Sequence, residues 1–478
     1  MSRTANTPLA RIAAAEAAAL TPGGSANLIT DFYRTLNEVA ASFDAGSTVR
    51  PQPGVVTPGF ALPELTPQVA EFFGAAEARW LDFGSYRDQS LTLLNLAANP
   101  GTNTTKTFPS LLIVARAVEH IRRHGEPVII FTPTSANKGT ALRDAVQRAL
   151  ACGLATPEQL RVVVLAPASS AGKLRAGALS EDPALAALNP VLTLRSPVAE
   201  EVKALGREFV AEHAEEVHRR TGARVWFSLD LNNYLLADVS RALFEHATAP
   251  LDQALRPRTH AHAVSSAFGM LGYHRGRSLL EEAGISSPAR RPHTLLVQHL
   301  GTPDMVLDLR FGSFDRSHVP QYRADPAGGR HHQQLDPHFP ATTDDPAEIL
   351  DSTFYTHAPV TAATMTGIIN TYGGDGIVVS GHECRERYPE LRAGLEGAGF
   401  SAPADPAGVR EWSLVMALTG VLNAIDRGLV KPDHDVVVHG SGWYTDADYT
   451  PLGPGARPVA SAADIARIVC GESPADPA

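Results

Sequence analysis

The chain has 478 residues, enough for two or three domains or for one large two-lobed α/β enzyme. Hydrophobic residues make up 44% and charged residues 19%, the balance of a globular protein with a sizeable core. A formal net charge of −10 without a basic run argues against a nucleic-acid binder and against attraction to anionic membrane surfaces. The three cysteines, Cys152, Cys384 and Cys470, stand far apart and form no CxxC, which argues against a disulfide scaffold and a structural zinc site. Arg11 and Glu16 interrupt the alanine-rich N-terminus, so no signal peptide is expected. No window approaches about 18 uninterrupted apolar residues, so no transmembrane helix is expected either. Cytoplasm is the expected location.

Residues 1–85 read as an N-terminal extension. Helical spacing over 8–20 and 25–42 leads into a Pro- and Gly-rich connector over 46–68. From there strands and amphipathic helices alternate. Strands are predicted at 91–97, 127–134, 161–167 and 223–230, and helices at 110–125, 138–153 and 198–222, each of these closed by a Gly. Further strands are predicted at 293–301, 376–380 and 435–442. Such alternation predicts parallel sheets with helices on both faces. Residues 312–350 are polar and rich in His, Asp and Pro, with no period, and read as a loop insertion. The expected organisation is a core over 86–450, with a smaller lobe over about 110–250, and a C-terminal tail over 451–478.

Three strand-to-helix junctions carry residues suited to an anionic ligand. NPGTNTTKTFPS (99–110) places the single Lys106 among small hydroxyl residues at a helix start. A buried lysine there has a lowered pKa and a nucleophilic amine, while an ordinary surface lysine does not. FTPTSANKGT (131–140) offers Thr134, Ser135, Asn137 and helix N-terminal amides as a cradle for a carboxylate or phosphate, or simply as a cap. AVSSAFGMLGYHRGRSLLEEAG (263–284) runs through Ser265, Ser266, Ala267, Phe268 and Gly269 into a helix with Arg275 and Arg277. It is neither a Walker A nor a GxGxxG sequence.

In order and spacing these stretches resemble the tryptophan-synthase-β group of pyridoxal-phosphate (PLP) enzymes, fold type II, which includes threonine, cysteine and cysteate synthases. N99-P-G-T-N-T-T-K106 is similar to the motif that carries the group's cofactor-binding lysine. T134-S-A-N-K-G139 is similar to its Asn loop, with Asn137 lying 31 positions after Lys106. Ser265–Gly269 falls at the phosphate-loop position, and VVVHGSGWYTD (436–446) resembles the closing strand, with Ser441 at the residue that meets the pyridine nitrogen. The resemblance covers about residues 88–450. The chain departs from the group at Ala136, where Gly is usual, at Lys138, where Thr is usual, and in the phosphate loop, which is usually Gly-rich.

The resemblance implies a two-lobed α/β fold, each lobe a mostly parallel sheet, and PLP held by Lys106 as an internal aldimine. It implies that Asn137 meets the ring hydroxyl and that Thr134, Ser135, Ala136 and Lys138 line the substrate side. It further implies that Ser265, Ser266, Ala267, Phe268 and Gly269 hold the phosphate and Ser441 the ring nitrogen. The expected reaction is β- or γ-replacement or elimination on a small amino acid, O-activated and in one version phosphorylated, by a homodimer with no nucleic-acid or membrane partner. Two rivals stand beside it. One is a PLP-fold binding or regulatory protein without turnover. The other is a metal-dependent hydrolase using His260/His262 or His331/His332/His338, although no HExxH occurs and no metal ligand is assigned. Cys384, in SGHEC after a strand, reads as a buried inert thiol or as a nucleophile.

Overall fold

The computed structural model describes residues 7–20, 24–44, 52–196, 199–326, 328–351, 353, 354 and 356–472. Residues 46–51 of the connector and 473–478 of the tail lie outside the described residues. The chain divides into two units. The segment read as an N-terminal extension contributes to both, and so does no other terminal piece: residues 447–478 belong to the second alone.

The first unit comprises Met1–Leu28, Glu77–Ala98 and Asp238–Asp446. Its seven-stranded sheet runs in the order Ala26–Asn27, Glu77–Tyr86, Gln89–Asn95, Asp435–Gly440, Arg258–Ala263, His293–His299 and Gly374–Val379. The first three strands pair antiparallel and the rest parallel. Alternation along each strand sends Leu91, Leu93, Ala261, Leu295, Val297, Ile377, Val436 and Val438 to one face. The apolar helix Ser413–Asp426 covers that face, and Gly420 lets it approach the Val297 side chain directly. The same alternation turns His260, His262 and His439 to the opposite face.

The second unit comprises Ile29–Ala76, Asn99–Ala237 and Ala447–Ala478. Its five strands, Ala456–Val459, Val191–Leu194, Leu160–Pro167, Val128–Pro133 and Arg224–Phe227, are all parallel. Ile129, Phe131, Val163, Leu165, Leu192 and Val225 pack against helices Ala199–Thr221 and Ala462–Val469. Val164, one residue out of phase with Val163, meets the helix Asn137–Ala151 at Gly139, where a Cβ would stand 2.9 Å from Val164 Cγ1. Parallel strands buried on both faces read as continuous apolar runs, and VIIF and VVVLA are such runs.

The structure corrects the reading in three places. The helix expected over 25–42 is a short strand, Ala26–Asn27, followed by the helix Tyr33–Asp44, because Ala26 and Asn27 pair with Ala78 and Glu77. The strand expected over 223–230 stops at Phe227, and Ser228–Asp230 form a turn. Within the polar segment 312–350, Arg323–Ala324, His331–His332 and Thr342–Thr343 form a small antiparallel sheet.

Candidate functional site

The candidate residues form two groups, one in each unit. In the second unit, Lys106 immediately precedes the helix Thr107–His124. The loop before it is fixed by its own polar residues. Asn99 donates to Asp144 Oδ2 at 2.9 Å and accepts from Gly101 N and Arg148 at 3.1 Å, and the Thr102 and Thr107 hydroxyls are 2.5 Å apart. Gly101 is required here, because a Cβ would collide with the Asp144 carboxylate. Pro109 occupies the helix's first turn, where its missing N–H costs nothing. Lys106 Nζ stands over the face of Tyr234, 4.9 Å from the ring centroid.

The Asn loop follows strand Val128–Pro133. Thr134 Oγ1 accepts from Ala136 N and Gly139 N, both at 3.1 Å, so of the three polar residues of this loop Thr134 acts as the cap. Asn137 is the first residue of the helix and is buried. Ala136 sits at φ 116°, a region that L-residues rarely adopt, and this is the position where the resembling family has Gly. Ala136→Gly is therefore expected to stabilise the protein by about 1 kcal/mol, read from the urea midpoint; a lowered midpoint would show that the loop is not strained. Lys138 is half-buried. Its amine donates to the Ser228 carbonyl, and burial, followed by the charge of Lys106, pulls its pKa down to about 7.

In the first unit, the Ser265–Gly269 turn joins strand Arg258–Ala263 to helix Phe268–Glu282. Ala267 adopts the left-handed conformation, φ 53°, and the helix that it opens has no side-chain cap. The Ser265 hydroxyl donates to Thr356 Oγ1 at 2.8 Å and accepts from Thr356 N at 3.2 Å, while Thr361 Oγ1 donates to Ser266 O. A Cβ on Gly269 would stand 3.0 Å from Asp238 Oδ2, 3.1 Å from His262 Cε1 and 3.2 Å from Arg241 Nη1. Arg241 is buried and ion-paired with Asp238, yet its Nε and Nη1 have no hydrogen-bond partner among the described residues. Uncapped helix amides with a buried guanidinium beneath them suit a phosphate. Ser441 follows the strand Asp435–Gly440 and is buried.

Behind the turn lies a polar network that sequence reasoning missed. Glu245 Oε1 accepts from Arg258 at 2.8 Å and pairs with His260 Nε2 at 3.1 Å; Oε2 accepts from Tyr273 at 2.5 Å. His260 Nδ1 meets His439 Nε2 at 2.9 Å. Because the carboxylate accepts, His260 Nε2 carries hydrogen. His260 and His262 thus face a carboxylate, an imidazole and Met270 Sδ. His338 lies between Asp336 and Asp375 at 2.8 and 3.2 Å. Among the described residues, no group of three or more His, Cys, Asp or Glu side chains has the arrangement of a metal site. The Cys384 thiol is fully buried, and burial pushes its pKa up, which is the inert alternative. Of the helix arginines, Arg275 pairs with Glu282 at 3.3 Å and Arg277 is buried against Ser286.

Tyr234, Asp238, Arg241 and Glu245 were missed although their spacing held a signal. They recur at helical intervals in a segment that is otherwise apolar, and charges on such a helix need buried partners.

The model of a family of unknown function (DUF6002) matches residues 24–473. No curated protein matches the chain. Among solved structures, threonine synthase from Escherichia coli is similar with a TM-score of 0.50 at 15% identity, over 98% of this chain and 90% of that one. Threonine synthase from yeast is similar with a TM-score of 0.50 at 9% identity, over 80% of this chain and 73% of that one. At such identity the likeness shows the fold: α/β, with mostly parallel sheets and helices packed on them. No described helix is long and apolar enough to cross a membrane.

Proposed function

The chain belongs to this family of unknown function, whose description assigns no activity, and from that premise we propose that it is a pyridoxal-phosphate enzyme. Its proposed reaction is β- or γ-replacement or elimination on a small amino acid bearing an activated side-chain oxygen. The observation that carries the reading is the Lys106 amine, set at a helix start over the face of Tyr234 beside a second lysine of lowered pKa. The fold, shared with solved threonine synthases, supports it.

When bound, pyridoxal phosphate supplies an electron sink next to the substrate Cα. Lys106 would hold the cofactor through its amine and would move the proton at the substrate Cα. In the second unit Thr134, Ser135 and Ala136 would orient the substrate carboxylate, and Asn137 would donate to the ring hydroxyl. In the first unit the Ser265–Gly269 turn would suit a phosphate, through its backbone amides and the Arg241 charge beneath; the Ser265 hydroxyl fixes the turn through Thr356. Ser441 would meet the ring nitrogen. A hydroxyl there, unlike a carboxylate, would leave that nitrogen unprotonated, which would favour loss of a leaving group over transamination.

The test is reconstitution with pyridoxal phosphate followed by titration with amino acids. A visible band of lysine-bound cofactor that changes with serine-, threonine- or homoserine-derived substrates is expected. Absence of the band after reconstitution would sink the proposal. A band unmoved by every amino acid would favour a binding protein without turnover.

A further inference from the structure

We propose that Lys138 selects substrates carrying a second anionic group, a carboxylate or phosphate on the side chain, beyond the α-carboxylate. This rests on the reading of Lys106 and the Asn loop given above.

Lys138 lies in the first turn of helix Asn137–Ala151, and its Nζ donates to the carbonyl of Ser228. An ammonium has three N–H groups, and this carbonyl takes one. The charged groups that act on it are Lys106, Lys203 and Asp230. Asp230 is already shared, since its Oδ2 lies 3.8 Å from the buried Arg116 Nη1. Of the charges that act on the half-buried Lys138 amine, Lys106 and Lys203 are positive and Asp230 is negative. A bound anion would offset the repulsion among the lysines.

The position of the amine separates it from the α-carboxylate site. The Asn loop continues strand Val128–Pro133, whereas Ser228 follows the neighbouring parallel strand Arg224–Phe227. Adjacent strands are about 5 Å apart. An anion on Lys138 and a carboxylate on the loop amides would be offset by on the order of that spacing, which suits an acidic group at the β or γ position of one amino acid. The resembling group usually has Thr here, so the cation is a departure from that group's pattern. With its pKa near 7, the amine is partly neutral in the free protein and becomes fully charged when an anion arrives. The sign follows: affinity for the doubly anionic substrate is full below pH 7 and falls as pH rises through it.

The experiment uses the reconstituted full chain and measures dissociation constants from the change in the cofactor band. One arm uses aspartate, a second O-phosphoserine, and a third serine and threonine. The wild type is expected to bind at least one acidic amino acid more tightly than the neutral ones, and the two acidic arms tell carboxylate from phosphate. Lys138→Thr should weaken acidic binding about 10- to 100-fold, the worth of one hydrogen bond to a charged group, and weaken serine and threonine binding much less. Lys138→Arg, which cannot deprotonate, should keep the acidic preference and lose the pH dependence near 7; it also guards against a folding defect in Lys138→Thr. Equal loss for acidic and neutral amino acids, or no loss for either, would overturn the proposal and leave Lys138 as a tie on the Ser228 carbonyl. A chain that takes no cofactor overturns the underlying reading of Lys106, and this inference falls with it. A cofactor band without acidic preference overturns this inference alone.

Discussion

Replacing Glu245 with Gln is expected to cost about 3–5 kcal/mol of stability, the typical penalty for breaking a buried ion pair by removing one partner. Glu245 is 1% exposed and accepts from Arg258 and Tyr273 while facing His260 Nε2. Burial alone would raise its pKa, but His260, Arg258 and Arg277 overcome that and hold it at about 2. Gln keeps the shape, removes the charge and leaves Arg258 facing a neutral amide. It also ends the arrangement that fixes His260 against His439, whose own pKa burial holds well below the ordinary imidazole range. Urea unfolding at pH 7 reads the loss directly. The linkage has a definite sign. A carboxyl depressed in the folded state contributes stability above its unfolded pKa, near 4.5, and loses it as pH falls through about 2. The wild type should therefore lose stability over that window more steeply than Glu245→Gln. A loss below about 1 kcal/mol at pH 7, or parallel acid profiles, would show that the network is not the structural pillar described here.

The second large effect is at Lys106. Lys106→Ala is expected to abolish the visible band of lysine-bound cofactor completely, while Lys138→Met retains it. The contrast matters because both amines lie in the second unit and each feels the other's charge. The proposed function gives them different tasks. Lys138 Nζ is tied to a carbonyl, whereas Lys106 Nζ stands on an aromatic face. Absorbance spectra of the two reconstituted variants decide it. A band that survives in Lys106→Ala and disappears in Lys138→Met would exchange their roles.

Much of this was legible in the sequence where the physics is local. Runs such as VIIFTP and LRVVVLAP, each followed by an amphipathic helix, could only be buried parallel strands, and they are. The junctions at Lys106 and Thr134 were legible for the same reason: each lies where one period stops and another begins. Strand Glu77–Tyr86 was not, because its residues alternate only weakly between buried and exposed and it pairs antiparallel with a strand just beyond the turn at Arg87. Strand Ala456–Val459 contains Pro458 and stands at a sheet edge, where proline is tolerated but the strand signal is weak. The Glu245–His260–His439 network was least legible. His260 and His439 are 179 positions apart, and only the parallel register of their strands brings them together. Lys138 stood out as a departure from the family pattern, but its partner, the Ser228 carbonyl, is 90 positions away.

The central claim is that Lys106 is the residue that carries the cofactor. Borohydride reduction of the reconstituted protein, followed by peptide mass spectrometry, tests it most directly by fixing the cofactor to whichever lysine holds it. The account predicts a single phosphopyridoxyl group on the peptide containing Lys106. The group on Lys138, or spread over surface lysines without preference, would contradict it.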